Sequence, residues 1–250
     1  MIIIKSQDEI DIMRESGKVT GLILKELEHF IKPGISTMDI NCFAEQIILK
    51  HKMIPTFKGY GGFPAAACVS INEEVVHGIP SKDRILMEGD IVSVDVGSTY
   101  KGYVSDAART YGVGRISAEA RHLIQATEDS FFAGLQFCKV GCRLSDISHA
   151  VQEAAEKEGF GVIRDFVGHG VGREMHEDPQ IPTYGKPGRG PRLVAGMVLA
   201  IEPMITQGSY EVEVLSDNWT AVTADGKLSA HYENTVVITD GEPELITLLK

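Results

Sequence analysis

The chain has no excess of positive charge: 24 Lys and Arg stand against 35 Asp and Glu, a net charge of -11 over 250 residues. That balance argues against bulk electrostatic binding to nucleic acid or to an anionic membrane. No stretch approaches the ~18–20 consecutive apolar residues of a membrane helix. Met1-Ile-Ile-Ile-Lys5 runs at once into Ser6-Gln-Asp-Glu9, so the start lacks the apolar centre of a signal peptide. Cysteine is scarce, and Cys42, Cys68, Cys138 and Cys142 show neither Cys-x-x-Cys nor zinc-knuckle spacing. Reduced thiols in a cytoplasmic protein are therefore expected. The run Gly168-His-Gly170-Val-Gly172 is neither a full G-x-G-x-x-G pattern nor followed by Gly-Lys-Ser/Thr. Dinucleotide and P-loop phosphate chemistry are thereby set aside.

What is present is an ordinary globular composition, 43% hydrophobic and 24% charged. The length suits one large domain or two fused halves. Ser6-Gln-Asp-Glu9 reads as a capping box, and the apolar positions Ile10, Met13, Leu22, Leu27 and Phe30 predict a helix stopped at Pro33-Gly34. A second helix is expected over 37–50, and further helices over 117–138 and 144–159. Strands are expected over 66–71, 91–96, 103–111, 161–167, 197–205 and 234–239. The order, two helices then strands, occurs twice. Pro33-Gly34…Asp39-Ile40 aligns with Val140-Gly141…Asp146-Ile147, and Gly89-Asp-Ile-Val-Ser-Val-Asp95 with Gly196-Met-Val-Leu-Ala-Ile-Glu202, both at an offset of 107. His77-Gly78-Ile79 also resembles His169-Gly170-Val171. The expectation is one α+β domain over 1–250, made of two pseudo-symmetric ααββ halves, about 6–112 and 116–240. Their interface is where a pocket belongs.

Five residues supply the chemistry. In Ile91-Val-Ser-Val-Asp95-Val-Gly-Ser-Thr-Tyr-Lys-Gly-Tyr-Val-Ser-Asp106, two apolar strands flank a turn, and the hairpin is expected to set Asp95 and Asp106 directly opposite on one face. Facing like charges destabilise a sheet, and carboxylates seldom enter a core unpaired. A divalent cation removes both objections. Glu202 ends Val198-Leu-Ala-Ile-Glu202-Pro203, and Glu233 lies in His231-Tyr-Glu233-Asn-Thr-Val-Val. With His169 these make an oxygen-rich set, too many ligands for one tetrahedral zinc. Two divalent ions roughly 3.5–4 Å apart, sharing carboxylates and holding a hydroxide nucleophile, suit them better. Four carboxylates and two dications also sum to zero charge. Any one of these acids alone would more often be a salt-bridge partner or a cap. His77, in Asn72-Glu-Glu-Val-Val-His77-Gly-Ile-Pro80, and His176 are not needed as ligands. Beside a metal centre they suit hydrogen bonding to a substrate carbonyl or oxyanion. His29, His51, His122 and His149 fall on helix-like segments and carry no such argument.

Together these motifs resemble the type I methionine aminopeptidases of the pita-bread fold, over nearly the whole chain. The likeness rests on Ser70-Ile-Asn72…His77-Gly-Ile-Pro80, Gly89…Asp95, Asp106, Gly168-His169-Gly170-Val-Gly172, His176-Glu, Gly196…Glu202-Pro203 and Glu233-Asn-Thr. The resemblance implies a central antiparallel sheet with helices on its outer face. It implies that Asp95, Asp106 and Glu233 bridge or chelate two ions (Co, Mn, Fe or Zn), with His169 and Glu202 on one of them. Glu202 would also shuttle a proton to the departing amine, while His77 and His176 position the substrate. A side-chain pocket is expected from Phe57, Tyr60, Phe63, Cys68, Met175 and Trp219, apolar and sulfur groups that suit a thioether. Asn72 and Ser229 would offer carbonyls to a monovalent cation. Phe57, Met175 and His231 stand where other members carry cysteine, phenylalanine and glutamine.

The implied reaction is removal of the initiator methionine from nascent chains whose second residue is small. A monomer in transient contact with the ribosome is the matching expectation. Two alternatives remain at this point. One is an Xaa-Pro aminopeptidase or prolidase on the same scaffold, whose members usually carry a sizeable extra N-terminal domain, not expected here, and a pocket for a following proline rather than for methionine. The other is a metal-free binding protein whose ligands no longer serve catalysis.

Overall fold

Helix boundaries follow from local chemistry. In the computed structural model, which describes residues 1–249, the Ser6 hydroxyl accepts from the Glu9 N–H, and the Glu9 carboxylate accepts from the Ser6 N–H at 2.9 Å. This reciprocal cap satisfies donors that the first turn of α1 (Gln7–Phe30) leaves unpaired. Ser36 and Asp39 do the same for α2 (Thr37–Lys50). Ser117 caps α3 (Ala118–Leu135), and the Asp146 carboxylate takes the Arg143 N–H at 2.7 Å to open α4 (Leu144–Lys157). The face of α1 carrying Ile10, Met13, Ile23, Leu24 and Leu27 is buried, as a 3.6-residue period requires.

The offset of 107 recurs in the coordinates. α2 and α4 are both 14 residues long, and their first residues, 37 and 144, are 107 apart. Isolated bridges join Ser36 to Ile85 and Arg143 to Arg192, and the Leu86 and Leu193 N–H groups donate to Ile35 and Cys142 at 2.8 Å each. Gly34 and Gly141 share a φ of 92°, the left-handed conformation that lets each chain turn between its helices without a Cβ penalty.

All strand pairs are antiparallel. One sheet runs Ile54–Pro55, Ile91–Tyr100, Ala67–Ile71, with Tyr103–Gly112 also paired to Ile91–Tyr100. A five-stranded sheet runs Glu244–Leu245, Asn234–Val237, Val198–Ile201, Gly168–Gly170, Glu177–Ile181. Two three-stranded sheets are Ser229–His231, Met204–Thr206, Gly161–Val162 and Val212–Val214, Ala221–Thr223, Glu74–Val76. One core joins Leu27, Ile40 and Ile48 to Val92 and Val94; another joins Phe131, Ile147 and Val151 to Leu199 and Val236. The result is the expected α+β arrangement.

Several strand expectations need correction. Lys101 and Gly102 have φ of 47° and 79°, so the hairpin closes on a two-residue turn with Tyr100 facing Tyr103. That register pairs Asp95 with Ala108 and Asp106 with Gly97. The two acids therefore share a face but lie diagonally, two positions apart, rather than directly opposite. The expected strand 161–167 is only Gly161–Val162, and 197–205 is two strands broken at Glu202-Pro203. Glu202 and Glu233 thus sit between strands and not within them.

Candidate metal centre

The break at Glu202-Pro203 is what builds the site. Val198–Ile201 pairs with Asn234–Val237 in one sheet, and Met204–Thr206 pairs with Ser229–His231 in another. Ile201 faces Asn234 and Met204 faces His231, so the intervening register sets Glu202 across from Glu233 where both strands change sheets. The ladder is open there, and two facing acids are free to turn inward. The first half meets this edge through Glu233 N–H to Ala108 carbonyl at 2.9 Å. Thr235 Oγ1 accepts the Asp106 N–H at 2.9 Å and donates to the Asp106 carbonyl at 2.7 Å. Asp106 is thereby pinned against the second half.

His169 lies on Gly168–Gly170, between Val198–Ile201 and Glu177–Ile181. Its Nδ1–H donates to the Gly170 carbonyl at 2.9 Å, which leaves the Nε2 lone pair facing inward. Nε2 stands 3.4 Å from Glu202 Oε1 and 4.0 Å from Asp106 Oδ2. Ligand atoms of Asp106, His169 and Glu233 lie within 4.8 Å of one another, all buried. Oxygen atoms of Asp95, Asp106 and Glu233 are buried there with no hydrogen-bond partner. An imidazole lone pair directed at carboxylates, and orphaned buried oxygens, are repulsive without a cation. The donor set therefore fits divalent metal.

The electrostatics agree. Burial, then the charges of Asp106 and Glu202, pushes the Asp95 carboxyl well above its ordinary range. Burial pushes Asp106 up to about 7. Glu202 and Glu233 are raised by burial first and by neighbouring carboxylates second. Burial holds His169 down at about 4, neutral and able to ligate.

A cavity of about 230 Å³ opens on these ligands. It is lined by all five candidate ligand residues, by His77 and His176, and by Phe57, Tyr60, Phe63, Cys68, Met175 and Trp219. Thus every ligand, histidine and pocket residue singled out in the sequence reaches one space. His176 Nδ1 is 2.8 Å from the Tyr60 hydroxyl, and its ring stands 4.4 Å from that of His169. Trp219 meets Phe63 edge-on at 5.1 Å. His77 has a φ of 61°, a left-handed strain carried at a site rather than a turn. Burial lowers the pKa of both His77 and His176, so each is neutral at pH 7.

Asn72 and Ser229 are together but do not line the cavity: the Ser229 N–H donates to the Asn72 carbonyl at 2.9 Å. Phe166 and Val167 line it and went unread in the sequence. Phe166 packs edge-on to His77 at 5.3 Å, and its only sequence signal is an aromatic shortly before the Gly-His-Gly strand. His231, noted only as a departure, is 1% exposed with Nε2 at 3.8 Å from Glu202 and 4.0 Å from Glu233.

Comparison with known proteins adds to this geometry. The pattern of metallopeptidase family M24 matches residues 11–240. Methionine aminopeptidase of Clostridium acetobutylicum is 59% identical over 248 residues, 99% of each chain. The crystal structure of methionine aminopeptidase from Thermotoga maritima matches with a TM-score of 0.98 at 49% identity, across all of both chains. Prolidase from Pyrococcus furiosus shares the fold at a TM-score of 0.80 and 22% identity, and this chain covers 66% of it.

Proposed function

Since the chain belongs to metallopeptidase family M24, we propose that its cavity takes the N-terminal methionine of a newly made polypeptide and that the bond after it is cut at the metal centre. The enzyme is a metal-dependent aminopeptidase that removes N-terminal methionine, with the pita-bread fold of its relatives. One observation carries the reading. The ligand set, two neutral histidines and an apolar wall bearing sulfur and aromatic rings all line the same cavity.

Asp95, Asp106, His169, Glu202 and Glu233 would hold two divalent ions, with cobalt, manganese, iron and zinc all compatible with these donors. When bound, such ions supply Lewis acidity and lower the pKa of water toward neutrality. The chain's own groups do the rest. Glu202 lines the cavity, and burial raises its carboxyl above the ordinary range, which suits it to take the proton of the attacking water and pass it to the departing amine. With the Tyr60 hydroxyl as donor to His176 Nδ1 across their 2.8 Å contact, the ring would carry its proton on Nε2, free to donate to the oxyanion. His77, packed edge-on against Phe166 and Trp219, would offer a second donor in the same cavity. Phe57, Phe63, Cys68 and Met175 are buried and exclude water from the methionine side chain.

The same reading includes a small second residue in the substrate, nascent N-termini as partners, and action in the cytoplasm by a monomer in passing contact with the ribosome. No helix among the described residues is long and apolar enough to cross a membrane. The Asn72 carbonyl keeps a second lone pair, which supports a monovalent cation shared with Ser229.

The test is cleavage of Met-Ala-Ser, Leu-Ala-Ser and Ala-Pro-Ser by chelator-stripped protein before and after Mn²⁺ or Co²⁺ is restored. Metal-dependent release of methionine alone is the expected result. Cleavage only before proline would move the activity to a prolidase type, and no cleavage with any ion would leave a binding protein.

A further inference from the structure

The segment 172–177 carries Met175 and His176 into the cavity, yet little of its backbone is held by a sheet. The ladder between Gly168–Gly170 and Glu177–Ile181 shifts register between His169 and Gly170. Beside the Gly172 N–H on the Glu174 carbonyl at 3.1 Å and the Val104 N–H on the Gly172 carbonyl at 2.8 Å, one side chain gathers the segment. Glu177 Oε1 accepts the N–H groups of Arg173 at 2.9 Å and Glu174 at 3.3 Å. Its other oxygen, Oε2, takes Lys5 Nζ at 2.6 Å. The two side chains are 3% and 5% exposed. The Lys5 backbone is tied to the second half by its N–H on the Gly196 carbonyl at 2.8 Å, and Nζ also donates to the Ile3 carbonyl at 3.2 Å. Gly172 closes the packing: a Cβ there would stand 2.5 Å from Glu177 Oε1 and 2.6 Å from Lys5 Cε.

We propose that Lys5 is a positioning residue: by neutralising Glu177 it lets that carboxylate stay buried and grip the 172–177 segment, which sets Met175 against the substrate side chain and His176 over the reacting carbonyl. The catalytic part rests on the methionine aminopeptidase reading above. The physical reason is the cost of an unpaired buried charge. Without the ammonium, the carboxylate gains more by turning to water than by holding two amides. The segment then loosens, and the Met175 wall and the His176–Tyr60 contact move with it.

The experiment compares wild type, Lys5→Met, Lys5→Arg and Lys5→Met/Glu177→Gln. The double variant removes both charges but keeps an oxygen for the two amides. Hydrogen exchange is read on the metal-free full chain. In Lys5→Met the Arg173 and Glu174 amides should exchange at least about tenfold faster while the sheet cores are unchanged, since loops open locally. On Met-Ala-Ser, kcat/KM should fall roughly 10–100-fold, with KM rising and kcat falling, the scale expected for a misplaced catalytic group. Lys5→Arg and the double variant should return both readouts to within about threefold of wild type. Unchanged exchange and kcat/KM in Lys5→Met would overturn the proposal, and so would a double variant as impaired as Lys5→Met. Should Lys5→Met not fold, the double variant decides, since tenfold faster exchange there would also overturn it. The exchange result does not depend on which peptide is cleaved, so a failed methionine assay in wild type is a separate outcome.

Discussion

Asp106 concentrates the electrostatic conflict of the site: it is 4% exposed, Oδ1 has no partner, and burial pushes its pKa from 3.8 to about 7. The metal-free folded state thus binds this proton more tightly than the unfolded chain. Its contribution to stability is complete below about pH 4 and is lost as pH rises through about 7. Metal requires the deprotonated form, so the rise in Tm on adding Mn²⁺ should be small at pH 5 and larger at pH 7.5. An equal rise at both would contradict the buried, metal-competing proton. Asp106→Asn removes the conflict and a ligand together. Metal-free Tm should hold or increase, metal content should drop, and turnover should nearly vanish. His77→Ala should lower kcat roughly 10–1000-fold, with Tm unmoved, as for loss of an oxyanion donor. Residue identities of this kind were legible, because an acid in an apolar run is conspicuous. His231 was not: it nears Glu202 only because Met204 faces it across the ladder, a register no local pattern encodes.

At the scale of elements, what could be read depended on length. Helices with a capping residue and several apolar turns were placed within a few residues, α2 from Thr37 to Lys50 as expected. Two- and three-residue strands such as Ile54–Pro55 and Ala221–Thr223 have too few positions to show alternation, and only their partners define them. The hairpin erred for a related reason, since a shift of the turn changes which residues face each other. Close approach is similarly hidden. Gly17, mid-helix in α1, passes the C-terminal segment so tightly that a Cβ would meet the Ile246 carbonyl oxygen at 2.3 Å. Helix propensity alone would favour alanine there by ~1 kcal/mol. The clash reverses the sign, because the obstacle is backbone. Gly17→Ala should therefore destabilise by about 1–3 kcal/mol in urea unfolding, the usual cost of overpacking. A stabilised variant would show that the C-terminal segment yields freely.

Across the whole molecule, the proposed metal centre draws on both of the segments that the 107-residue offset relates. Asp95 and Asp106 come from the first, and His169, Glu202 and Glu233 from the second. Polar links cross that boundary around the site: Ala108 with Glu233, Thr235 with Asp106, Arg109 with the Glu233 carbonyl and Asn234, the Val104 N–H with the Gly172 carbonyl, the ladder between Glu74–Val76 and Ala221–Thr223, and Thr110 Oγ1 accepting the His231 N–H at 2.8 Å and donating to its carbonyl. The same boundary holds four carboxylates with raised pKa values, Asp106 and Glu233 buried and Asp95 and Glu202 partly so, which oppose closure when no cation is present. Metal should therefore stabilise the interface more than either core. An ion bound only by the folded state at one hundred times its Kd contributes about 2.7 kcal/mol, which for a chain of this size raises Tm by roughly 5–10 °C. Hydrogen exchange with and without Mn²⁺ locates that gain. Protection should rise most at the Asp106, Ala108, His231 and Glu233 amides and less at those of Ile40 and Ile147 in the two helical cores. If metal instead protected the five-stranded sheet alone and left Asp106 and Ala108 unchanged, the ions would be held by the second half, and the shared centre would be wrong.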